Sequence, residues 1–168
     1  MHGGGWVATG SLKIYMKKLL GIAVIVFLFS GEAYSKSIHK NSLKGLKEFK
    51  LELSVTELCG VTKNSLETSI KYILSNSNIK LVDNSASLLA LHVQIMVEED
   101  IGCFGHADLS VLEWWETTNS ANYKIAVPYV LYKEGRYRKG PPNSFNINLV
   151  NTVEELTKNF VIEWSNKN

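Results

Sequence analysis

The stretch SLLALHVQIMVEE, residues 87–99, alternates apolar side chains with a more mixed set of residues. The apolar positions at every second residue are Leu89, Leu91, Val93, Ile95 and Val97. A period of two is typical of a β-strand that buries one of its faces. The intervening positions are half apolar, as expected where a helix or a second layer covers that side. We therefore expect this stretch to be the central strand of a sheet.

The segments before this strand predict a strand, a helix and a second, short strand. Period-two alternation runs from Phe49 to Val55, and the short strand is expected from Ile79 to Val82. Between them the period becomes helical, with an apolar face formed by Leu66, Ile70, Ile73 and Leu74. Asn64 and Glu67 have the spacing of a capping box at the start of this helix.

The segments after the central strand predict two more strands and a closing helix. We expect strands over Ala107 to Glu116 and Tyr123 to Tyr132, and a loop over Gly135 to Pro142. Pro128 lacks an amide hydrogen, so the second of these strands is expected to lie at an edge or to carry a bulge. The closing helix is expected to begin near Asn151. Its apolar stripe consists of Val153, Leu156, Phe160 and Trp164.

The predicted order of elements is β-α-β-β-β-β-α, with short connections between successive strands. Such an order is typical of an α+β domain with a mixed, mainly antiparallel sheet and both helices on one face. Residues 36–168 are long enough for one compact core. We expect them to form a single mature domain.

This order resembles small bacterial envelope domains such as the amino-terminal domain of the periplasmic TolB protein. It is also similar to other exported bacterial proteins of this length. The likeness rests on the element order, on the strand at residues 87–99 and on the aromatic residue that ends Glu-Leu-Thr-Lys-Asn-Phe at residues 155–160. It implies a non-enzymatic role in the envelope and supplies no functional residues.

The beginning of the chain predicts export. Met16-Lys17-Lys18 is followed by an apolar run of 11 residues, Leu19 to Phe29, which is shorter than the 20 or so that span a bilayer. The small residues Ala33 and Ser35 then fit the −3 and −1 positions of a signal-peptidase site. Residues 1–35 are therefore interpreted as an N-terminal extension and a signal peptide. Translation is expected to start at Met16, and cleavage to follow Ser35.

The charge of the exported part is balanced. The whole chain carries 18 basic and 16 acidic residues, but residues 1–35 contain three lysines and one glutamate. The remaining chain therefore has 15 residues of each sign and no excess that would attract nucleic acid. We expect a periplasmic or secreted protein with no nucleic-acid partner and no stable membrane anchor after cleavage.

The two cysteines, Cys59 and Cys103, both lie in the exported part. An even count in an oxidising compartment favours a disulfide. Because Cys59 follows the first predicted strand and Cys103 follows the third, the bond predicts that these two strands are adjacent and parallel.

Catalytic chemistry has one candidate cluster in this sequence. His106 and Asp108 would point to the same face of a strand, and a reduced Cys103 beside them could act as a nucleophile. A tight hairpin explains the same residues, and a disulfide would consume the thiol. The histidines His39, His92 and His106 are widely spaced and match no zinc motif. We expect neither a metal nor another cofactor.

Two features suggest a binding surface. The adjacent residues Trp114 and Trp115 must point to opposite faces of their strand, so only one of them can enter the core. The segment from Lys133 to Gly140 is basic and contains Arg136, Tyr137 and Arg138. It is interpreted either as a contact loop or as the solvated tip of a hairpin.

The sequence thus favours an exported, non-enzymatic binding protein of the bacterial envelope. Its partner would be another envelope protein or an envelope component. One alternative is a small thiol- or histidine-dependent hydrolase that uses Cys103, His106 and Asp108. Another alternative is a carrier that holds a small apolar ligand between the sheet and the helices.

Overall fold

The computed structural model describes residues 34–38, 43–99, 102–118 and 122–168. The proposed start at Met16, the apolar run from Leu19 to Phe29 and His39 lie outside the described residues. The elements, in chain order, are β1 (Tyr34–Ile38), β2 (Glu48–Val55), α1 (Lys63–Ser75), β3 (Lys80–Leu81), β4 (Ser87–Glu98), β5 (Gly102–Thr118), β6 (Lys124–Gly140) and α2 (Pro142–Ser165).

The strands form one sheet in the order β1-β6-β5-β4-β2-β3. β4 and β5 pair antiparallel, as do β5 with β6 and β6 with β1, whereas β2 pairs in parallel with β4 and with β3. The helices pack on each other, with α1 on β2 and α2 on β5 and β6. The predicted α+β fold with a mixed, mainly antiparallel sheet is confirmed.

The hydrophobic core lies between the helices and one face of the sheet. The alternation predicted for residues 87–99 is confirmed, because Leu89, Leu91, Val93 and Ile95 are buried there. Phe49 of β2 packs edge-on against Phe160 of α2, with 5.6 Å between the ring centroids. Core side chains thus pack between the sheet and the helices, where the carrier alternative would place its ligand, and that alternative stays a prediction.

The sequence predictions were wrong at several boundaries. β5 begins at Gly102 instead of Ala107, and the segment predicted as a loop over 135–142 is mostly the end of β6. α2 begins at Pro142, nine residues before Asn151, and proline is favoured at the first helical position.

Two smaller features also differ from expectation. Thr62, and not Asn64, caps α1, because its hydroxyl accepts a hydrogen bond from the Ser65 amide at 3.2 Å. The strand β1 was not predicted. Its pairing with β6 extends from Tyr34 opposite Arg136 to Ile38 opposite Tyr132.

Pro128 lies in β6 next to an irregularity in the sheet. Val111 of β5 pairs with Tyr132 and Leu112 pairs with Val130, so Leu131 is an extra residue in β6. The predicted bulge in this strand is confirmed. Among the residues that the structure describes, neither helix combines the length and apolar composition of a membrane span.

Candidate functional site

The disulfide joins Cys59, after β2, to Cys103, near the start of β5, with 6.3 Å between their Cα atoms. β2 and β4 are adjacent and parallel, so the prediction from the cysteines is confirmed in both respects. Cys103 pairs with Val97 in the β4–β5 ladder and is fully buried. The thiol that the hydrolase alternative requires is therefore consumed, and its sulfur lies in the core.

His106 and Asp108 lie on the sheet face opposite the helices, as their spacing predicts. Asp108 is 8% exposed, and its carboxylate lies between His106 and Lys133 of β6. Its oxygens are 3.6 Å from His106 Nδ1 and 3.4 Å from Lys133 Nζ. Gln94 and His92 of β4 are the cross-strand partners of His106 and Asp108. We call the residues His106, Asp108 and Lys133 the ionic cluster.

Aromatic packing holds the imidazole of His106 in place. The ring stacks on Tyr137 with a centroid distance of 4.3 Å, and Tyr137 stacks in turn on Phe104 at 5.8 Å. Gly135 lies beside Asp108 in the ladder, and a Cβ there would be only 2.9 Å from His106 Nε2. The missing side chain at position 135 provides the room that the His106 ring occupies.

The surroundings of His106 lower the pKa of its imidazole. Burial has the largest effect, because it penalises the charged form. The positive charge of Lys133 and the neighbouring His92 also lower this pKa, whereas the carboxylate of Asp108 raises it. The neutral imidazole is therefore favoured in the folded chain.

The geometry of the ionic cluster limits its chemistry. A distance of 3.6 Å between Nδ1 and the carboxylate exceeds a hydrogen bond, so Asp108 does not fix the imidazole as a catalytic partner would. In the described part of the chain, no group of three or more His, Cys, Asp or Glu residues is arranged to hold a metal ion. The three side chains of the ionic cluster contact one another and Tyr137, as in a polar patch that has a structural role.

The basic segment 133–140 is part of β6, so the expectation that it forms a loop or a hairpin tip was wrong, and its role as a contact surface stays a prediction. Arg136 and Arg138 point to the helix side, where both approach Glu155 of α2. Arg138 Nε also donates to Thr152 Oγ1 at 2.7 Å. Alternation in the strand places these arginines on the face of the sheet opposite to Tyr137.

The tryptophan pair lies where the β5–β6 hairpin extends past the rest of the sheet. β4 begins at Ser87, opposite Glu113, and within the described ranges the following residues of β5 pair only with β6. We call residues 114–118 of β5 and 124–129 of β6 the aromatic arm. Past Glu113, the described residues include no strand that pairs with β5 on the side where β4 lies.

Both tryptophans are exposed, which corrects the expectation that one of them enters the core. Trp114 is 56% exposed on one face of the aromatic arm, and Trp115 is 58% exposed on the other. Trp115 stacks on Tyr129 with a centroid distance of 5.2 Å. Exposed large apolar side chains in the arm also include Ile125, Val127 and Tyr129, and exposed Tyr123 lies directly before it. Such a concentration of exposed aromatic surface is typical of an interaction site.

One buried polar site has no signal in the sequence. Glu134 of β6 is completely buried under α2, where its carboxylate accepts hydrogen bonds from Tyr132 Oη at 2.7 Å and Asn159 Nδ2 at 2.8 Å. Arg136 lies 3.6 Å from the same carboxylate. Charged residues of both signs are visible in the sequence of segment 133–140. The hydrogen bond from Asn159 of α2 is not visible there, because that residue is 25 positions away from Glu134.

Comparison with known proteins finds no matching family model and no match among curated proteins. Two dodecamer structures of PelC from Paraburkholderia phytofirmans are similar, with TM-scores of 0.47 and 0.46 at 10% identity. The match covers 75% of this chain and 94% of PelC. A minor lipoprotein from Acinetobacter baumannii has a TM-score of 0.37 at 16% identity, covering 74% and 95% of the two chains. No functional residue is carried over from these structures, and the resemblance to TolB stays a prediction.

Proposed function

We propose that this chain is an exported, non-enzymatic binding protein of the bacterial envelope. In this proposal it binds another envelope protein, or another envelope component, through the aromatic arm. The observation that carries the proposal is the exposure of Trp114 and Trp115 on opposite faces of the arm. Tryptophan is among the residues that contribute most to binding energy when a partner buries them.

The position of the arm supports this role. A two-stranded ribbon with apolar side chains on both faces gains little stability by itself in water. A partner that covers either face would remove a large apolar area from solvent, which is the main driving force of association. Glu116 and Lys124 near the tip are 3.9 Å apart, so the arm carries no strong charge of one sign.

The remaining predicted surface residues contribute less to the proposed site. Arg136 and Arg138 contact side chains of α2. Tyr137 stacks on His106 on the opposite face of the sheet. The predicted export signal supports an envelope location, and the disulfide suits an oxidising compartment.

Quantitative capture from a detergent extract of bacterial envelopes tests the proposal. The immobilised mature chain is compared with the double variant Trp114→Ser, Trp115→Ser, and with Tyr72→Ser as the matched control. Tyr72 is 72% exposed on α1, so its substitution removes an equally accessible aromatic side chain elsewhere. We expect the double variant to lose about 100-fold in affinity for the captured component, as for two residues central to an interface.

The control variant is expected to retain its affinity. Binding that is equal in all three proteins would contradict the proposal. Parallel sedimentation with purified peptidoglycan and with lipid vesicles shows whether a non-protein component of the envelope binds the arm.

A further inference from the structure

The outer edge of β5 in the aromatic arm lacks a neighbouring strand among the described residues. The last pair between β4 and β5 joins Ser87 to Glu113, whereas β5 continues to Thr118. After Trp114, and among the residues that the structure describes, β5 pairs with β6 alone. An edge of this kind presents backbone donors and acceptors to any extended chain that approaches it.

Pro128 indicates which backbone groups point outward. Proline has no amide hydrogen, so it is accommodated where its nitrogen points away from the neighbouring strand. Trp114 is the cross-strand partner of Pro128. In an antiparallel ladder, both members of such a pair turn their N–H and C=O groups away from each other. The N–H and C=O groups of Trp114, and by alternation those of Glu116 and Thr118, therefore point to the outer edge.

The side chains next to this edge are suited to cover an added strand. Trp114 is exposed on one face of the arm, and Trp115, stacked on Tyr129, is exposed on the other. An incoming strand would thus meet aromatic surface on both of its faces while its backbone pairs with β5. This combination of main-chain pairing and side-chain recognition is the usual form of strand addition.

A second copy of this chain is a poor occupant. If two copies paired antiparallel over residues 114–118, the two-fold axis would pass through Glu116. Two carboxylates would then be directly opposite, which is destabilising. Shifting the axis to Trp115 would bring Thr117 opposite Glu113 of the other copy, where that copy's own Ser87 already pairs.

We propose that the edge of β5 from Trp114 to Thr118 receives an extended segment of a partner protein by strand addition. The segment presents apolar side chains to Trp115 and a lysine or arginine to Glu116, whose side chain is 77% exposed. Lys124 neutralises Glu116 only weakly, because both side chains are solvated at a separation of 3.9 Å. This inference rests on the proposed function and names its mode of binding.

A capped peptide of alternating threonine and valine with a central lysine serves as the probe. Its binding to the mature chain is measured by fluorescence anisotropy, next to the same peptide with a central glutamate. We expect the lysine peptide to bind about three-fold more tightly, since opposite charges across a strand pair are stabilising. Equal affinity of the two peptides would contradict the assigned charge of the partner.

The variant Glu116→Pro isolates the backbone contact. Its nitrogen would point outward like that of Pro128, so the arm can still form while one hydrogen bond to the added strand is lost. We expect binding to weaken about ten-fold through this lost bond and the crowding by the ring. Glu116→Gln is the matched control. It keeps the amide, so any loss is limited to the charge effect.

Hydrogen exchange on the unmodified chain provides a second measurement, which does not depend on how Glu116→Pro folds. The amides of Glu116 and Thr118 are expected to become protected when the lysine peptide is added. Unchanged exchange at both amides would overturn the inference.

If these amides stay unprotected while capture from envelopes still requires the tryptophans, strand addition is wrong and the proposed function stands. If the tryptophans are also dispensable for capture, both fail. A dimer of the mature chain in sedimentation equilibrium that Glu116→Pro dissociates would instead assign the edge to a second copy and overturn the proposed partner.

Discussion

Gly135 is the residue whose lack of a side chain shapes the ionic cluster. A Cβ at this position would be 2.9 Å from His106 Nε2, 3.0 Å from Asp108 Cβ and 3.3 Å from the carbonyl oxygen of Ala107. A shift of the His106 ring would disturb its stacking on Tyr137. We expect Gly135→Ala to lower the free energy of unfolding by about 1–3 kcal/mol, as overpacking does elsewhere. Urea denaturation followed by circular dichroism measures this change.

Gly140→Ala is the control for this prediction. It is in the same strand, but the nearest atom to its added Cβ is Ser144 Oγ at 3.9 Å, which is ordinary contact. Its effect is expected to stay within about 1 kcal/mol. Equal destabilisation by the two variants would mean that glycine at position 135 is not required by the cluster.

His106 provides a prediction about pKa values. NMR titration of its ring protons should give a midpoint below the ordinary value of about 6.5, because burial disfavours the imidazolium ion. Asp108→Asn removes a charge that favours protonation and should lower the pKa further. Lys133→Met removes an opposing charge and should raise it. Shifts in the reverse directions would contradict the described geometry.

The same shift makes folding stability depend on pH. The pKa of His106 is lower in the folded state than in the unfolded chain, so the unfolded chain binds the proton first as the pH falls. The stabilisation is complete above about pH 6.5 and is lost as the pH falls through the window between the two pKa values. Comparing the unfolding free energy of the unmodified chain and His106→Gln at pH 7.5 and 5.5 measures this contribution. The unmodified chain should lose more stability.

At the scale of secondary-structure elements, the contact between β6 and α2 depends on the buried carboxylate of Glu134. Glu134 accepts hydrogen bonds from Tyr132 and Asn159 and lies beside Arg136. Glu134→Ala would leave these polar groups buried without their acceptor, so we expect a loss of about 3–5 kcal/mol in unfolding free energy.

A milder substitution checks the origin of this loss. Tyr132→Phe removes one donor and leaves the carboxylate otherwise satisfied, and it should cost about 1–2 kcal/mol. Both values come from urea denaturation. If Glu134→Ala were no more harmful than Tyr132→Phe, the carboxylate would not be the centre of this contact.

The elements with simple periodicity could be predicted from the sequence. β4 has one face of aliphatic residues, Leu89 to Ile95, because that face meets the helices along its whole length. β6 could not be predicted to its end, since Arg136 and Arg138 lie on its helix side. These arginines are accommodated there by partners that include Glu155 and Thr152 of α2, and local sequence does not show those contacts.

The exposure of Trp114 and Trp115 was likewise beyond the local pattern. Alternation correctly predicts that they point to opposite faces. Whether either face is covered depends on where β4 begins relative to β5, and Ser87 is 26 residues earlier than its partner Glu113. The candidate binding site is therefore a consequence of strand lengths and register in the whole sheet.

At the scale of the whole molecule, the disulfide links the end of β2 to the start of β5 across a sequence separation of 44 residues. Closing such a loop stabilises the folded chain by about 4 kcal/mol in the chain-entropy model. We expect the double variant Cys59→Ser, Cys103→Ser to lose up to this amount in urea denaturation. A loss below about 1 kcal/mol would show that the sheet contacts alone hold these strands together.

The predicted signal-peptide cleavage site lies within β1. Cleavage after Ser35 would remove the first two residues of β1. The pairs from Lys36 opposite Glu134 to Ile38 opposite Tyr132 would remain. We expect protein expressed from Met1 in an exporting bacterium to begin at Lys36. Its intact mass should be about 2 Da below that of the dithiol, with alkylation only after reduction. The control is Ala33→Phe, which places a large side chain where signal peptidase requires a small one, so this variant should remain uncleaved. An unmodified chain that keeps residues 1–35 and alkylates without reduction would contradict both the signal and an oxidising destination.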